Sequence, residues 1–282
     1  MSLHVYLLCH NEAVLLPHTI EHYRRRMPDV TFTILDNESS DDSVAIARQL
    51  GCTVQSFATG DRLNDDVLRD LKNSAWHECT EGWVIVADMD EWLCVTANDL
   101  NREARAGTTV LKVEGWNVVG DSANVQLTDI DLHALNTGAL HTYESKSICF
   151  RRPQITAMNY NAGAHRSAPE GTVRRSRKTY RLKHMNWLGS AFVVRKYVSR
   201  YARGTEQRAR GYGIHYSDNA ETVREEFNEW RAKARTFSEQ PFWARPTWPS
   251  PLMPFIRRRA ARVVRRLVGL VGLSRSMSSS DQ

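Results

Sequence analysis

The apolar run Trp83-Val84-Ile85-Val86-Ala87 ends in Asp88-Met89-Asp90-Glu91. A short apolar run bounded by charge reads as a buried strand. Three carboxylates at its end repel one another and resist burial. Asp88 and Asp90 stand two residues apart, so in an extended segment they point the same way. A divalent cation relieves such repulsion, and through that cation the pair can hold a diphosphate. The same tetrapeptide also reads as an acidic surface loop. What the neighbouring strand ends carry decides between the two.

The elements that must position these acids alternate in type. Leu3–Cys9 reads as a buried strand, 13–26 as a helix with Pro28 just beyond it, and 30–35 as a second strand. A helix over 43–50 follows, with Asp41 or Asp42 as its cap and Gly51 as its stop. Residues 52–57 read as a strand, 64–79 as a helix and 83–87 as the fourth strand. Strand–helix alternation with short links predicts a parallel sheet with helices on both faces. Ligands of such sheets bind at the carboxyl ends of the strands. Strand one ends in Cys9-His10-Asn11-Glu12, strand two in Asp36-Asn37-Glu38-Ser39-Ser40-Asp41-Asp42, and strand four in the acidic tetrapeptide. All three ends therefore face one crevice.

Beyond residue 95 the pattern loosens. Ala97–Arg105 reads as a helix, 109–119 as a strand and 120–145 as loops. Residues 148–150, 155–160 and 179–184 are short strands, and the basic run 174–183 also fits a solvated hairpin or a contact with an anion. Residues 190–210 and 220–237 are helical. Residues 241–254 hold five prolines and two tryptophans, a linker or extended packing segment.

Charge is divided unevenly along the 282 residues. Residues 1–144 carry 10 Lys/Arg and 23 Asp/Glu, whereas residues 145–217 carry 16 Lys/Arg and two acids. The net charge of +6 thus describes no uniformly basic surface and argues against a nucleic-acid partner. It describes an acidic half suited to a cation and a basic half suited to an anion. The five cysteines show no C-x-x-C pair, the first residues do not read as a signal peptide, and no window approaches a membrane span. A reducing, cytoplasmic setting is expected.

The segments LLCHNEAVLLPHTIEHYRRRMPD, FTILDNESSDDSVAIARQLG, LKNSAWHECTEGWVIVADMDEWL and YRLKHMNWLG together resemble glycosyltransferase family 2, in its branch with a D-x-D-E signature and an upstream Lys-Asn. The resemblance covers residues 3–235. It implies an α/β GT-A fold, a hexosyltransferase-type activity with inversion, and Mn2+ or Mg2+. It implies a nucleotide-sugar donor; the expected donor is a UDP-sugar and the expected acceptor a glycan or lipid-linked one, the basic C-terminal segment suiting a lipid carrier or cell-envelope polysaccharide. By the same resemblance Asn11, Glu12 and Asp36 line the base and ribose, and Lys72 and Asn73 lie near the nucleotide. Asp88 faces ribose or metal, and Asp90 is the principal metal ligand. A late histidine completes the metal shell, either His184 or His165; imidazole would favour Mn2+. Lys183, Lys196, Arg203 and Arg210 are candidates to offset charge on the leaving diphosphate. The base that deprotonates the acceptor is to be sought among Asp121, Asp129, Asp131 and Glu144, with Glu91 nearer but better placed to orient its neighbours. His215 and Tyr216 receive no role.

The expected organisation is a catalytic domain over 1–239, with a donor half 1–95 and an acceptor half 96–239. A linker follows over 240–254, then a helix over 255–273 and a disordered tail over 274–282. Residues 255–273 combine six arginines with helically spaced Ile256, Ala260, Val263, Leu267 and Leu270 and no acid. That pattern reads as a helix lying on an anionic membrane surface, or as one packed on the body or a partner. Two other functions fit acids on a diphosphate. One is a nucleotidyltransferase, although CHNEAVLLPH lacks a Gly-rich phosphate loop. The other is a catalytically silent relative that binds glycan or docks at a membrane.

Overall fold

In the computed structural model of the chain, residues 2–120, 127 and 130–243 are described. Leu3–Cys9 (β1), Val30–Asp36 (β2), Thr53–Ser56 (β3) and Gly82–Asp88 (β4) form a parallel core in the order 3-2-1-4. β1 and β4 are buried almost throughout, which is why they read as continuous apolar runs and not as alternating ones. The crossovers are Leu16–Arg24 (α1), Ser43–Gln49 (α2) and Asp65–Ser74 (α3). The first is shorter than the expected 13–26: residues 13–15 make a turn on the Glu12 carbonyl, and Pro17 then sets the first helical turn. Asp41 Oδ1 accepts from Ser43 N (3.0 Å) at the start of α2, and Gly51 closes it at φ +69°. Asn64 caps α3 through Val67 N.

The sheet continues without a break past residue 95. Glu91–Leu93 (β5) leads into Ala97–Arg105 (α4), whose Thr96/Asp99 capping box fixes its start. Then come Val110–Val119 (β6), Thr137–Leu140 (β7), Cys149–Arg152 (β8), Ile155–Ala157 (β9), Glu170–Gly171 (β10) and Arg175–Trp187 (β11). Ser190–Arg203 (α5), Thr205–Ala209 (α6), Ala220–Lys233 (α7) and Arg235–Thr236 (β12) complete the described chain. β8 inserts antiparallel between β4 and β6, and β11 runs parallel to β6 while pairing antiparallel with β5. One mixed ten-stranded sheet results, and Met1–Trp243 is one compact unit with no boundary at residue 95.

Three expectations are corrected. Residues 120–145 are not all loop: β7 and a 3-10 turn, Thr142–Glu144, lie in them. Gly138 of β7 passes so close to Asn117 that a Cβ would meet its carbonyl oxygen at 2.3 Å, and so weakly apolar a strand leaves no sequence pattern. The basic run 174–183 is no hairpin; it belongs to β11, where Ser176, Tyr180 and Leu182 are buried between the charged positions. The helix expected over 190–210 breaks at Gly204 into α5 and α6. Residues 244–282, including the basic segment 255–273 and the tail 274–282, lie outside the described residues. Among the described residues no helix is long and apolar enough to cross a membrane.

Candidate active site

Strand register builds the crevice. β1 pairs Cys9 with Asp36 on one side and Leu8 with Asp88 on the other, so the two acids flank the same strand end. The turn after β4 is gripped through its backbone: Thr19 Oγ1 donates to the Met89 carbonyl (2.8 Å), and Met185 N donates to the Asp90 carbonyl (2.7 Å). Glu91 begins β5 opposite His184 of β11. Asp90 and Glu91 are consequently buried, at 2% and 0% exposure, a position no unpaired carboxylate tolerates.

Their partners come from this same chain. Lys72 Nζ lies 2.8 Å from Asp88 Oδ1. Lys146 Nζ lies 2.5 Å from Glu91 Oε1, 3.1 Å from Glu144 Oε2 and 3.8 Å from Asp88 Oδ2. Lys196 donates to Asp90 Oδ2, and His184 Nε2 lies 3.4 Å from the same oxygen. The other nitrogen of His184 contacts Asn117 Oδ1 at 2.8 Å. Glu91 Oε2 accepts from the backbone N–H of Asp88 (2.9 Å), a bond that braces the acidic turn. The mutual repulsion inferred from the sequence is thus offset in part within the chain, by three lysines and a histidine.

These pairs shift protonation in a consistent way. Burial works against an ionised Asp90, but Lys196 and His184 outweigh it and hold the carboxyl well below its usual range. Burial likewise opposes an ionised Glu144, yet His184 and Lys146 bring it down to about 2. His184 is raised: burial lowers it, and Glu144 and Asp90 more than compensate. Glu12 behaves differently. Burial pushes it up to about 7, with Lys196 opposing and Asp90 reinforcing the shift. Glu91 is raised in the same direction by burial, with Lys146 opposing.

The donor set suits a hard divalent cation that arrives with a diphosphate. Such ions take one or two carboxylates and draw the rest of their shell from phosphate and water. Lys196 and His184 both sit on Oδ2 of Asp90 and neither on Oδ1. His165 instead stacks under Tyr143 with centroids 3.8 Å apart, contacts the Tyr143 carbonyl at 3.1 Å, and is pushed down to about 4 by burial and by Lys146. Of the two late histidines, His184 alone pairs with an acid of the D-x-D.

The remaining expected residues divide. Asp36 is buried at the end of β2; its Oδ2 accepts from Ser39 N (3.3 Å), and its buried Oδ1 has no partner among the described residues. Asn11, at φ 53°, turns its side chain onto Ser40 N (2.8 Å) and Asp41 N (3.3 Å) and so shapes the loop after β2. Asn73 spends both ends of its amide on the backbone of Tyr160, at 2.8 and 3.1 Å. Glu144 is committed to Lys146 and His184, and a carboxyl held near 2 is a poor proton acceptor. Asp131 caps the turn at His133 N (3.0 Å), while Asp121 and Asp129 lie outside the described residues. Of the four cations expected to offset charge on the diphosphate, only Lys196 pairs with the D-x-D, which Lys72 also reaches through Asp88. Lys183 is buried against Glu239 (2.8 Å), Arg203 pairs with Asp61 (2.9 Å) and Arg210 with Asp66 (2.6 Å).

Two cations were missed. Lys146 follows an irregular stretch with no pattern to mark it. Arg200 stands four residues after Lys196 on α5, hence on the same face, and that spacing was available in the sequence. Its Nη1 donates to Tyr216 Oη (2.8 Å), and Asp90, Glu12 and Asp88 all act on its charge. Tyr216 thereby acquires a role, as the group that holds Arg200.

No family model matches the chain, and no curated protein matches it. Among solved structures, S. aureus TarS is similar over 54% of this chain and 28% of its own, at 14% identity and a TM-score of 0.34. Glucosyl-3-phosphoglycerate synthase from Mycobacterium tuberculosis, in complex with Mn2+, UDP and glucosyl-3-phosphoglycerate, is similar over 40% of this chain and 44% of its own, at 19% identity and 0.28. Mannosyltransferase PcManGT from Pyrobaculum calidifontis, in complex with GDP-Man and Mn2+, is similar over 82% of this chain and 68% of its own, at 12% identity and 0.37. The chain spans less than half the length of the TarS chains it matches. Likeness at these scores transfers no activity, and the functional reading rests on the crevice itself.

Proposed function

We propose that the protein is a GT-A-type glycosyltransferase that takes a sugar from a nucleotide-sugar donor, with UDP- and GDP-sugars the first to test. The observation that carries this reading is the meeting of two charge sets at the carboxyl ends of β1, β2 and β4. Asp36, Asp88 and Asp90 stand on one side, and Lys72, Lys146, Lys196 and Arg200 on the other. Acids in parallel-strand ends, faced by long cations, suit a diphosphate accompanied by Mn2+ or Mg2+. Asp88 and Asp90 would hold that ion, which when bound offsets negative charge on the departing nucleoside diphosphate.

The chain's own residues supply the rest. Asp36 Oδ1 offers a buried acceptor to a hydroxyl or N–H of the nucleoside. Lys196 exchanges its carboxylate partner for a phosphate oxygen, and Arg200 stays aimed by Tyr216. Glu91 and Lys146 fix the acidic turn so that none of this geometry must be organised during the reaction. Transfer with inversion to a glycan or lipid-linked acceptor belongs to the proposal, as does a membrane-surface role for residues 255–273. Glu144, held low by His184 and Lys146, is disfavoured as the proton acceptor.

The test is release of UDP or GDP from a panel of nucleotide sugars with Mn2+, Mg2+ or chelator, followed by the same assay on Asp90→Ala. Donor-specific, cation-stimulated release that the variant loses supports the proposal. No release with any donor, or an unimpaired variant, overturns it.

A further inference from the structure

Among the described residues, the D-x-D acids do not form the group most ready to take a metal from side chains alone. That group is His18, Glu21 and His133, whose ligand atoms all lie within 4.8 Å of one another. His18 and Glu21 are three apart on α1 and so share a face. His133 comes from the turn that follows Ile130, with Nε2 3.1 Å from Glu21 Oε2. All three are partly buried, the His133 side chain at 10% exposure and that of Glu21 at 45%, so solvent reaches the cluster from the Glu21 side. We propose that His18, Glu21 and His133 form a second metal site, separate from the D-x-D, for a borderline transition-metal cation of the Zn2+ class.

Neighbouring groups support this assignment by contrast. His22, one turn further along α1, has both ring nitrogens in use, on the Leu93 carbonyl (3.0 Å) and on Arg26 (3.0 Å), and has no lone pair to offer. No hydrogen bond or ion pair engages His18 among the described residues. The competing partner of Glu21 is Arg25, an exposed i,i+4 contact on Oε1, the oxygen turned away from His133. Exposed pairs of this kind contribute little and yield readily. Two imidazoles and a carboxylate with an open fourth position are a standard zinc donor set. Zinc–ligand bonds of about 2.0–2.1 Å bring tetrahedral donors to roughly 3.3 Å apart. Closing the remaining gap calls on rotation of His18 and of the 45% exposed Glu21 side chain toward His133.

The position gives the ion a consequence. His133 stacks on Trp92 (centroids 5.4 Å apart), and Trp92 Nε1 donates to Thr19 Oγ1 (2.8 Å), which itself donates to Met89 of the D-x-D. The His133 carbonyl also accepts from buried Lys183 (3.4 Å). A cation here ties α1 to the 130–136 turn from outside, next to the residue that follows Glu91.

The test uses full-length, tag-free protein stripped with chelator and titrated with Zn2+ against a chromophoric competitor, and separately with Co2+ read by its visible spectrum. Wild type and Asp90→Asn are each expected to bind one equivalent, with four-coordinate Co2+ absorption. His18→Ala and His133→Ala are each expected to weaken binding by at least tenfold. Far-UV circular dichroism confirms folding, and the exposed His77→Ala serves as a control that binds as wild type does. No stoichiometric uptake by the wild type, or equal uptake by the His18 and His133 variants, overturns the site. Loss of uptake in Asp90→Asn with retention in the histidine variants assigns the ion to the D-x-D and overturns it too. None of these outcomes depends on turnover, so failure here and failure of the glycosyltransferase reading are distinguishable.

Discussion

Asp36 and Asp88 leave the ends of the two parallel strands that flank β1, in register with its Cys9 and Leu8. The cations opposite them arrive otherwise: Lys72 from α3, Lys146 from an irregular loop, Lys196 and Arg200 from one face of α5. The acids are placed by backbone hydrogen bonding, one or two bonds from the sheet. The cations are placed by long side chains with several rotors. The first set is therefore rigid and the second adaptable. A crevice divided in this way can pass its cations from carboxylate to phosphate when a diphosphate enters, without disturbing the sheet. Lys72 apart, the split also follows the charge split of the chain, since Lys146, His184, Lys196 and Arg200 come from the basic stretch 145–217.

If the rigid side carries the chemistry, its loss is the largest effect. Asp90→Ala is expected to lower donor turnover by about a thousandfold, roughly 4 kcal/mol of transition-state stabilisation. It also strands Lys196 and His184 without their shared acid. Initial rates of nucleoside diphosphate release measure this. An Asp90→Ala enzyme within tenfold of wild type would mean that the acids and cations are a structural network only.

The adaptable side is sharpened by comparing its members. Lys146 is almost fully buried and serves three carboxylates, whereas Lys196 serves one. Lys146→Met leaves Glu91 buried and unpaired, which costs about 3–5 kcal/mol. Urea unfolding should show this loss, with Lys196→Met costing distinctly less and acting instead on donor affinity. Equal losses in the two variants would erase the distinction between a fixed and a releasable lysine.

The same contrast explains what was readable beforehand. The strands β1 and β4 are largely apolar runs and β2 is rich in β-branched residues and mostly buried, and their polar ends follow directly in sequence, so Asp36, Asp88 and Asp90 stood out. Helix α4 was readable to the residue because Thr96 and Asp99 cap it. Lys146 was not, because nothing periodic leads to it; only the fold brings it beneath Glu91. β11 was read six residues long instead of thirteen, since charged residues between buried ones imitate a solvated run. Lys183 illustrates the converse error: it looked like a phosphate ligand, and pairing with Glu239 across 56 residues put it elsewhere. Local pattern reveals what the backbone places and misses what long side chains reach.

Protonation tests the seam between the two sides, with a smaller effect. The depressed carboxyl of Glu144 contributes stability above its ordinary value of 4.5, and that contribution is lost as pH falls toward about 2. The raised imidazole of His184 contributes fully below its ordinary value of 6.5, and that contribution is lost as pH rises through its folded value. Together they favour the fold most between 4.5 and 6.5. Thermal unfolding from acid to alkaline pH should therefore show a decline above 6.5 that flattens in His184→Gln. An unchanged alkaline limb in that variant would remove His184 from the pairing with Asp90 and Glu144.

Asn73 provides the finest discrimination, because the family resemblance and the geometry assign it different work. A nucleotide contact would need a free amide edge. In the structure Oδ1 accepts from Tyr160 N (2.8 Å) and Nδ2 donates to the Tyr160 carbonyl (3.1 Å), so both edges are committed. Tyr160 is itself buried, with its hydroxyl donating to the Ser147 carbonyl (2.9 Å) one residue from Lys146. The amide thus acts on the crevice indirectly, by holding the segment that braces Lys146. Asn73→Ala leaves two backbone groups without partners, at a cost of about 1–3 kcal/mol in stability. With the fold still populated, KM for the donor should stay within about twofold of wild type, well under the tenfold that 1.4 kcal/mol of lost binding would bring. A large rise in KM with unaltered unfolding would return Asn73 to the nucleotide and place it beside Lys72 on the adaptable side.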